Sequence, residues 1–229
     1  MRLSWNNIQI ATAIAVLFHS IGLIGILVFK SDIILQTSWL NLLLMAGLLV
    51  YTQAQKNIYF FLFIFACFIT GMSVEWIGTK TGMLFGDYAY GDVLGPAIMG
   101  VPIIIGFNWF TIVYGCGILV ETMLRKLTAN LPEEQINRKT WLKTLAVIVD
   151  GATLAVAFDW LMEPVAVKLG YWTWHGDGSI PVFNYICWMA ISMLLLWVFR
   201  LLPFRRENKF AIHLLLIQAM FFLLLRTFL

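Results

Sequence analysis

Runs of about 20 apolar residues, separated by short polar stretches, constrain this chain more than any other feature. That length lets an α-helix cross a hydrocarbon core about 30 Å thick. Lipid offers no partners to free backbone groups, so such runs must be helices. Seven are readable, at about 8–29, 33–51, 58–77, 101–120, 142–162, 181–202 and 210–228. The second is short and the last two lie close together, so six or eight are the alternatives. Of the 229 residues 61% are hydrophobic and 12% charged, with a mean hydropathy of +0.87. A soluble domain carries roughly twice that charge. No polar stretch is long enough to fold separately. The expected fold is therefore all-α: one polytopic membrane helical bundle over residues 1–229. The first run is too long for a signal-peptide core and no small-residue cleavage motif follows it, so a retained anchor is expected.

With seven spans, the basic residues separate by side. Arg2, Lys56, Arg125, Lys126, Arg138, Lys139, Lys143, Arg200, Arg205, Arg206 and Lys209 fall with the N-terminus; Lys30, Lys80, Lys168 and Arg226 fall opposite. The positive-inside rule then puts the N-terminus in the cytoplasm, in a multi-pass protein of the cytoplasmic membrane. Trp5 and Trp141 sit at the inner boundary. Cys67, Cys116 and Cys187 lie inside apolar runs without a CxxC, so disulfides and thiolate metal sites are not expected. His19, His175 and His213 are scattered, without the spacing of a metal site. His19 reads as a packing residue. GDGS at 176–179 is a turn signal rather than a phosphate loop. No metal, redox cofactor or nucleic-acid partner is expected.

Ionisable groups inside a membrane are costly and mark function. Glu75 lies near the outer end of the third span, and Asp159 and Glu163 near the outer end of the fifth. The last two are four apart and share a helical face, which Ala152 and Ala155 continue. Asn108 in the fourth span and Asn184 in the sixth fall at similar depth. Asp150 is about half a turn away from Asp159 in azimuth and is expected to bond a neighbouring helix. Glu121, near the inner boundary, is expected to be solvated. Glu163 precedes Pro164 and is read as ending its helix.

Two outward loops, 78–100 and 165–180, are rich in Gly and aromatics. Phe85, Tyr88, Tyr90, Trp172 and Trp174 fit either an interfacial belt or a π-lined pocket that stabilises a cation. Each loop follows a carboxylate-bearing span and leads into a span opening on a proline and carrying Asn and Trp: Pro102, Asn108, Trp109, then Pro181, Asn184, Trp188. That pattern suggests a weak repeat about an axis along the membrane normal.

The stretch EWIGTKTGMLFGDYAYGDVLGPAIMGVPIIIGFNW (75–109) and the stretch DWLMEPVAVKLGYWTWHGDGSIPVFNYICW (159–188) resemble the membrane carotenoid hydratases of the γ-carotene and bisanhydrobacterioruberin type. The likeness covers about residues 70–195. It departs at Glu163-Pro164, where that family is expected to carry Asp-Pro. The second stretch also resembles, more distantly, the small membrane lycopene cyclases. The resemblance implies addition of water to the terminal double bond of an acyclic carotenoid such as lycopene, γ-carotene or a longer homologue, without a cofactor. Membrane lipid and other carotenoid enzymes are the further partners it implies. The reaction needs an acid, and apolar surroundings favour the neutral carboxyl form. It also needs a base or amide to hold water and aromatic faces for a tertiary cation. Asp159 and Glu75 are expected as acid and base, in an order the sequence leaves open. Asn108, Asn184 and Glu163 are expected to orient water or the acid. Phe85, Tyr88, Tyr90, Trp109, Trp172, Trp174 and Trp188 are expected to line the pocket. A cyclase, a proton-coupled transporter and a scaffold for other carotenoid enzymes are the competing readings.

Overall fold

The computed structural model describes residues 6–129 and 140–229; Arg2, Trp5, Arg138 and Lys139 lie outside the described residues. The described residues form eight helices: α1 (Asn7–Leu27), α2 (Asp32–Gln36), α3 (Ser38–Thr52), α4 (Ile58–Thr81), α5 (Ile103–Thr128), α6 (Thr140–Lys168), α7 (Val182–Leu201) and α8 (Lys209–Phe228). Six of them, α1 and α4 to α8, are long and apolar enough to cross a membrane. The all-α polytopic bundle expected from the run lengths is what forms.

The second expected span is not one helix. It breaks at Thr37, whose ψ of 3° lies outside the helical range and which both closes α2 and opens α3. The α3 helix that follows has 15 residues, about 22 Å at 1.5 Å per residue. Its two ends nonetheless engage opposite layers of the bundle. At one end the Tyr171 hydroxyl donates to Ser38 Oγ at 2.9 Å. At the other, the Tyr114 hydroxyl donates to Gln53 Oε1 at 2.6 Å, and Gln53 Nε2 donates to the Arg205 carbonyl at 2.7 Å.

Local chemistry sets the helix ends. Asn6 and Gln9 form a reciprocal capping box at the start of α1. Asn57 and Asn208 cap α4 and α8, and Pro102 and Pro181 immediately precede α5 and α7. One boundary differs from expectation. The α6 helix does not stop at Glu163 but runs through Pro164 to Lys168. Proline removes the N–H that would bond the carbonyl four residues earlier, here that of Trp160. Arg226 Nη1 donates to that carbonyl at 2.9 Å and its guanidinium stacks 3.9 Å above the Trp160 ring. The freed backbone acceptor is thereby satisfied, as an apolar medium requires.

Helix α5 is the central column, buried along most of Ile104–Val120 and packed against α3, α4, α6, α7 and α8. Rings of Phe60, Phe63, Phe110, Tyr114, Phe199 and Phe204 fill the half of the bundle near the N-terminus of α4. Glu121 is only partly exposed and is paired: Arg200 Nη1 donates to it at 2.6 Å, and both Nε and Nη2 of Arg200 reach Thr144 Oγ1. Asp150 is exposed on the outer surface of α6, with no hydrogen bond among the described residues.

The loops at 78–100 and 165–180 close on each other. Strand β1 (Tyr88–Tyr90) pairs antiparallel with β4 (Trp172–Trp174), in the register Tyr88↔Trp174, Ala89↔Thr173 and Tyr90↔Trp172. The bonds from His175 N to Asp87 O and from Gly91 N to Tyr171 O, both 2.9 Å, extend the ladder at each end. A second hairpin, β2 (Ala97–Ile98) with β3 (Val101–Pro102), leads into α5. The two loops are thus joined strand to strand. Trp109 and Trp188, each seven residues after its proline, stack face to face with centroids 4.0 Å apart. Both contacts join corresponding positions of the two suggested repeat units.

A candidate active site of three buried carboxylates

Glu75 on α4 and Asp159 and Glu163 on α6 are 5%, 0% and 3% exposed. They line one cavity of about 30 Å³. All twelve residues expected at the site, including Asn108, Asn184 and the seven aromatics, line it with them. Phe85, Tyr88, Trp172 and Trp174 are buried and Tyr90 nearly so. They are pocket walls, not an interfacial belt.

The three carboxylates differ in their hydrogen bonds. Glu75 receives three: the Tyr88 and Tyr90 hydroxyls donate to Oε2 at 2.5 and 2.7 Å, and Trp109 Nε1 donates to Oε1 at 2.9 Å. Burial, and then the adjacent Glu75 carboxylate, push both phenols well above their ordinary range, which keeps them protonated as donors. Glu163 receives Trp172 Nε1 at 3.0 Å and Trp174 Nε1 at 3.1 Å on Oε2, and a long 3.3 Å contact from Asn184 Nδ2 on Oε1. Among the described residues, Asp159 Oδ2 receives only Asn184 Nδ2, at 2.8 Å, and Asp159 Oδ1 is buried with no partner. One amide therefore bridges the two acids of α6.

The β1–β4 ladder explains this pattern. In a strand, alternate side chains share a face. Tyr88 and Tyr90 therefore point together at Glu75, and Trp172 and Trp174 point together at Glu163. These roles as donors to carboxylates were not legible in the sequence, which offered the four rings only as walls. Gly71 lets Trp109 reach its partner: a Cβ there would sit 2.6 Å from Trp109 Cδ1. Phe85 is held with φ of 64°, unusual for a bulky residue; its N–H points to Cys187 Sγ at 3.3 Å. Asn108 is half-buried and makes no hydrogen bond among the described residues. No group of three or more His, Cys, Asp or Glu among the described residues is placed to hold a metal ion.

A second, larger cavity of about 360 Å³ adjoins the first, sharing Ile105, Asn108, Met162 and Trp172. It runs between α1, α3, α5, α6 and α8, and Phe18, Leu44, Phe158 and Phe222 are among its apolar walls. The first, second and last spans carry no motif of their own in the sequence, yet they build this groove. His19 packs as expected, edge-on against Phe221 with Nδ1 2.8 Å from the Ala15 carbonyl, but it also faces the groove.

Fold and site together define a multi-pass helical membrane protein with a donor-ordered acid cluster at the end of an apolar groove. Comparison with known proteins narrows the class. Residues 29–229 match the family described as "Carotenoid biosynthesis protein", and the chain belongs to it. It is also similar to a bisanhydrobacterioruberin hydratase from Haloarcula japonica, 27% identical over 128 residues, which cover 53% of this chain and 39% of that protein. The chain thus spans well under half of that relative. No solved structure matches.

Proposed function

We propose that this member of a carotenoid biosynthesis family is a hydratase, adding water across the terminal double bond of an acyclic carotenoid end. One observation carries the reading. A carboxyl oxygen with no partner, Asp159 Oδ1, sits where an apolar groove meets two carboxylates already supplied with donors. A trisubstituted alkene reacts with water only after protonation, so the site must offer a proton to carbon. Glu75, with donors on both oxygens, has no free position from which to give one. Asp159 does.

Asp159 Oδ1–H gives its proton to the terminal alkene carbon, and the π pair becomes the new C–H bond. The neighbouring carbon is left as a tertiary cation. Glu75, held by Tyr88, Tyr90 and Trp109, is its fixed counter-charge. At about 4 Å and an effective dielectric of about 20, such a pair is worth about 4 kcal/mol. Faces of Trp109, Trp188 and Phe85 add about 0.5–2 kcal/mol by cation–π attraction. Glu163 Oε1, with only its long amide contact, orients the water. Water oxygen bonds the cation and its proton passes to Glu163. Return of that proton to Asp159, one helical turn away on the same face, restores the site. Net, one water is added and no electron is transferred. The end of the bundle richer in Lys and Arg faces the cytoplasm in this reading, which sets the chemistry in the outer half.

Expression in a host that accumulates an acyclic carotenoid tests this. The expected result is a new pigment that elutes early on a reversed-phase column, as a tertiary alcohol does. Unaltered pigment would contradict the proposal. A cyclic hydrocarbon eluting with the substrate would favour a cyclase, in which an internal alkene takes the place of water.

A further inference from the structure

Most of the groove wall is apolar; of the polar side chains that line it away from the acids, Thr37, Ser38 and Tyr171 already donate to protein acceptors, which leaves His19 on α1, Asn41 on α3 and Gln218 on α8. Gln218 is 3% exposed and, among the described residues, its Oε1 has no hydrogen-bond partner; Asn41 Oδ1 is also buried without one among them. The Ala15 carbonyl beside His19 Nδ1 can only accept. Nδ1 therefore carries the ring proton, and Nε2 of the neutral imidazole is an acceptor. These three acceptors belong to side chains that line one cavity, and a bare hydrocarbon chain satisfies none of them. Covering a polar group with hydrocarbon, without a partner, weakens whatever does the covering.

We propose that the groove holds an O–H group against Gln218 Oε1 and Asn41 Oδ1, with His19 beside them. The group is a hydroxyl carried by the isoprenoid chain or a water held next to it. A cavity of about 360 Å³ has room for a length of chain and a water, whose share of liquid volume is about 30 Å³. The proposal rests on the groove being the polyene channel of the hydratase reading and adds the feature of the ligand that the channel reads. None of the three residues belongs to the acid cluster, so binding can be measured apart from turnover.

The test uses the full chain in detergent and two acyclic conjugated polyenes of equal length. Their ends are saturated so that neither reacts; one is bare and one carries a single tertiary hydroxyl. Quenching of tryptophan fluorescence reports binding, since Trp172 lines the groove. The hydroxylated probe should bind about tenfold tighter, or about 1.4 kcal/mol, and Gln218→Met and Asn41→Leu should each erase the difference. Equal wild-type affinities, with the bare polyene binding several-fold tighter to Gln218→Met, would also support the site and identify its O–H as water. Equal affinities left unchanged by both variants would overturn the inference, as would a parallel loss of both probes. Binding of neither probe to the wild type would remove the channel itself, a failure distinct from those.

Discussion

Asp159→Asn should lower alcohol formation by about 10²–10⁴-fold, the usual contribution of a positioned acid. The change is nearly isosteric. An asparagine there still presents an oxygen to Asn184 Nδ2, which now donates to Asp159 Oδ2 at 2.8 Å. Folding and membrane abundance should therefore hold while the transferable proton is gone. The comparison is pigment conversion at matched protein level. Full activity in this variant would remove Asp159 from the reaction. Glu163→Gln should also be severe, because its one amide oxygen is held by the Trp172 and Trp174 indoles and cannot take the proton that water gives up.

Glu75→Gln should show the second large effect, of a different kind. Tyr88 and Tyr90 both donate to Oε2 and Trp109 donates to Oε1. An amide offers one accepting end, so whichever way it turns, an NH₂ group faces at least one donor. A buried donor left without a partner costs about 1–3 kcal/mol, which should appear as a lower thermal midpoint in detergent. The lost counter-charge, at about 4 kcal/mol, should lower turnover by about 10²–10³-fold. Activity and stability are thus expected to fall together here, whereas Asp159→Asn should separate them. A Glu75→Gln protein with wild-type turnover would contradict the counter-charge role, whatever its stability.

These two outcomes depend on features of unequal visibility in the sequence. Crossing helices follow from run length, because only a helix satisfies its own backbone in lipid. Glu75, Asp159, Asn108 and Asn184 could be grouped by depth, since a polar residue in an apolar run is conspicuous. Which donor serves which acid could not be read. That depends on the pairing of Tyr88 with Trp174 and Tyr90 with Trp172, between strands more than 80 residues apart. The extension of α6 past Pro164 was hidden for the same reason: its freed carbonyl is satisfied by Arg226, from the last helix. The break at Thr37 was equally hidden, since threonines that bond back four residues also sit inside unbroken helices at Thr12, Thr111 and Thr153. The groove was least legible. Its polar members, His19, Asn41 and Gln218, stand singly in separate spans, and only packing assembles them in one cavity.

The central claim is that water becomes the hydroxyl of the product. Membranes containing the protein, given an acyclic carotenoid in water enriched in the heavy oxygen isotope, test it most directly by mass spectrometry. The expected product carries one labelled oxygen for each double bond consumed, and membranes bearing Asp159→Asn form almost none. A product with the mass of the substrate, or one whose oxygen is unlabelled, would contradict hydration at this site.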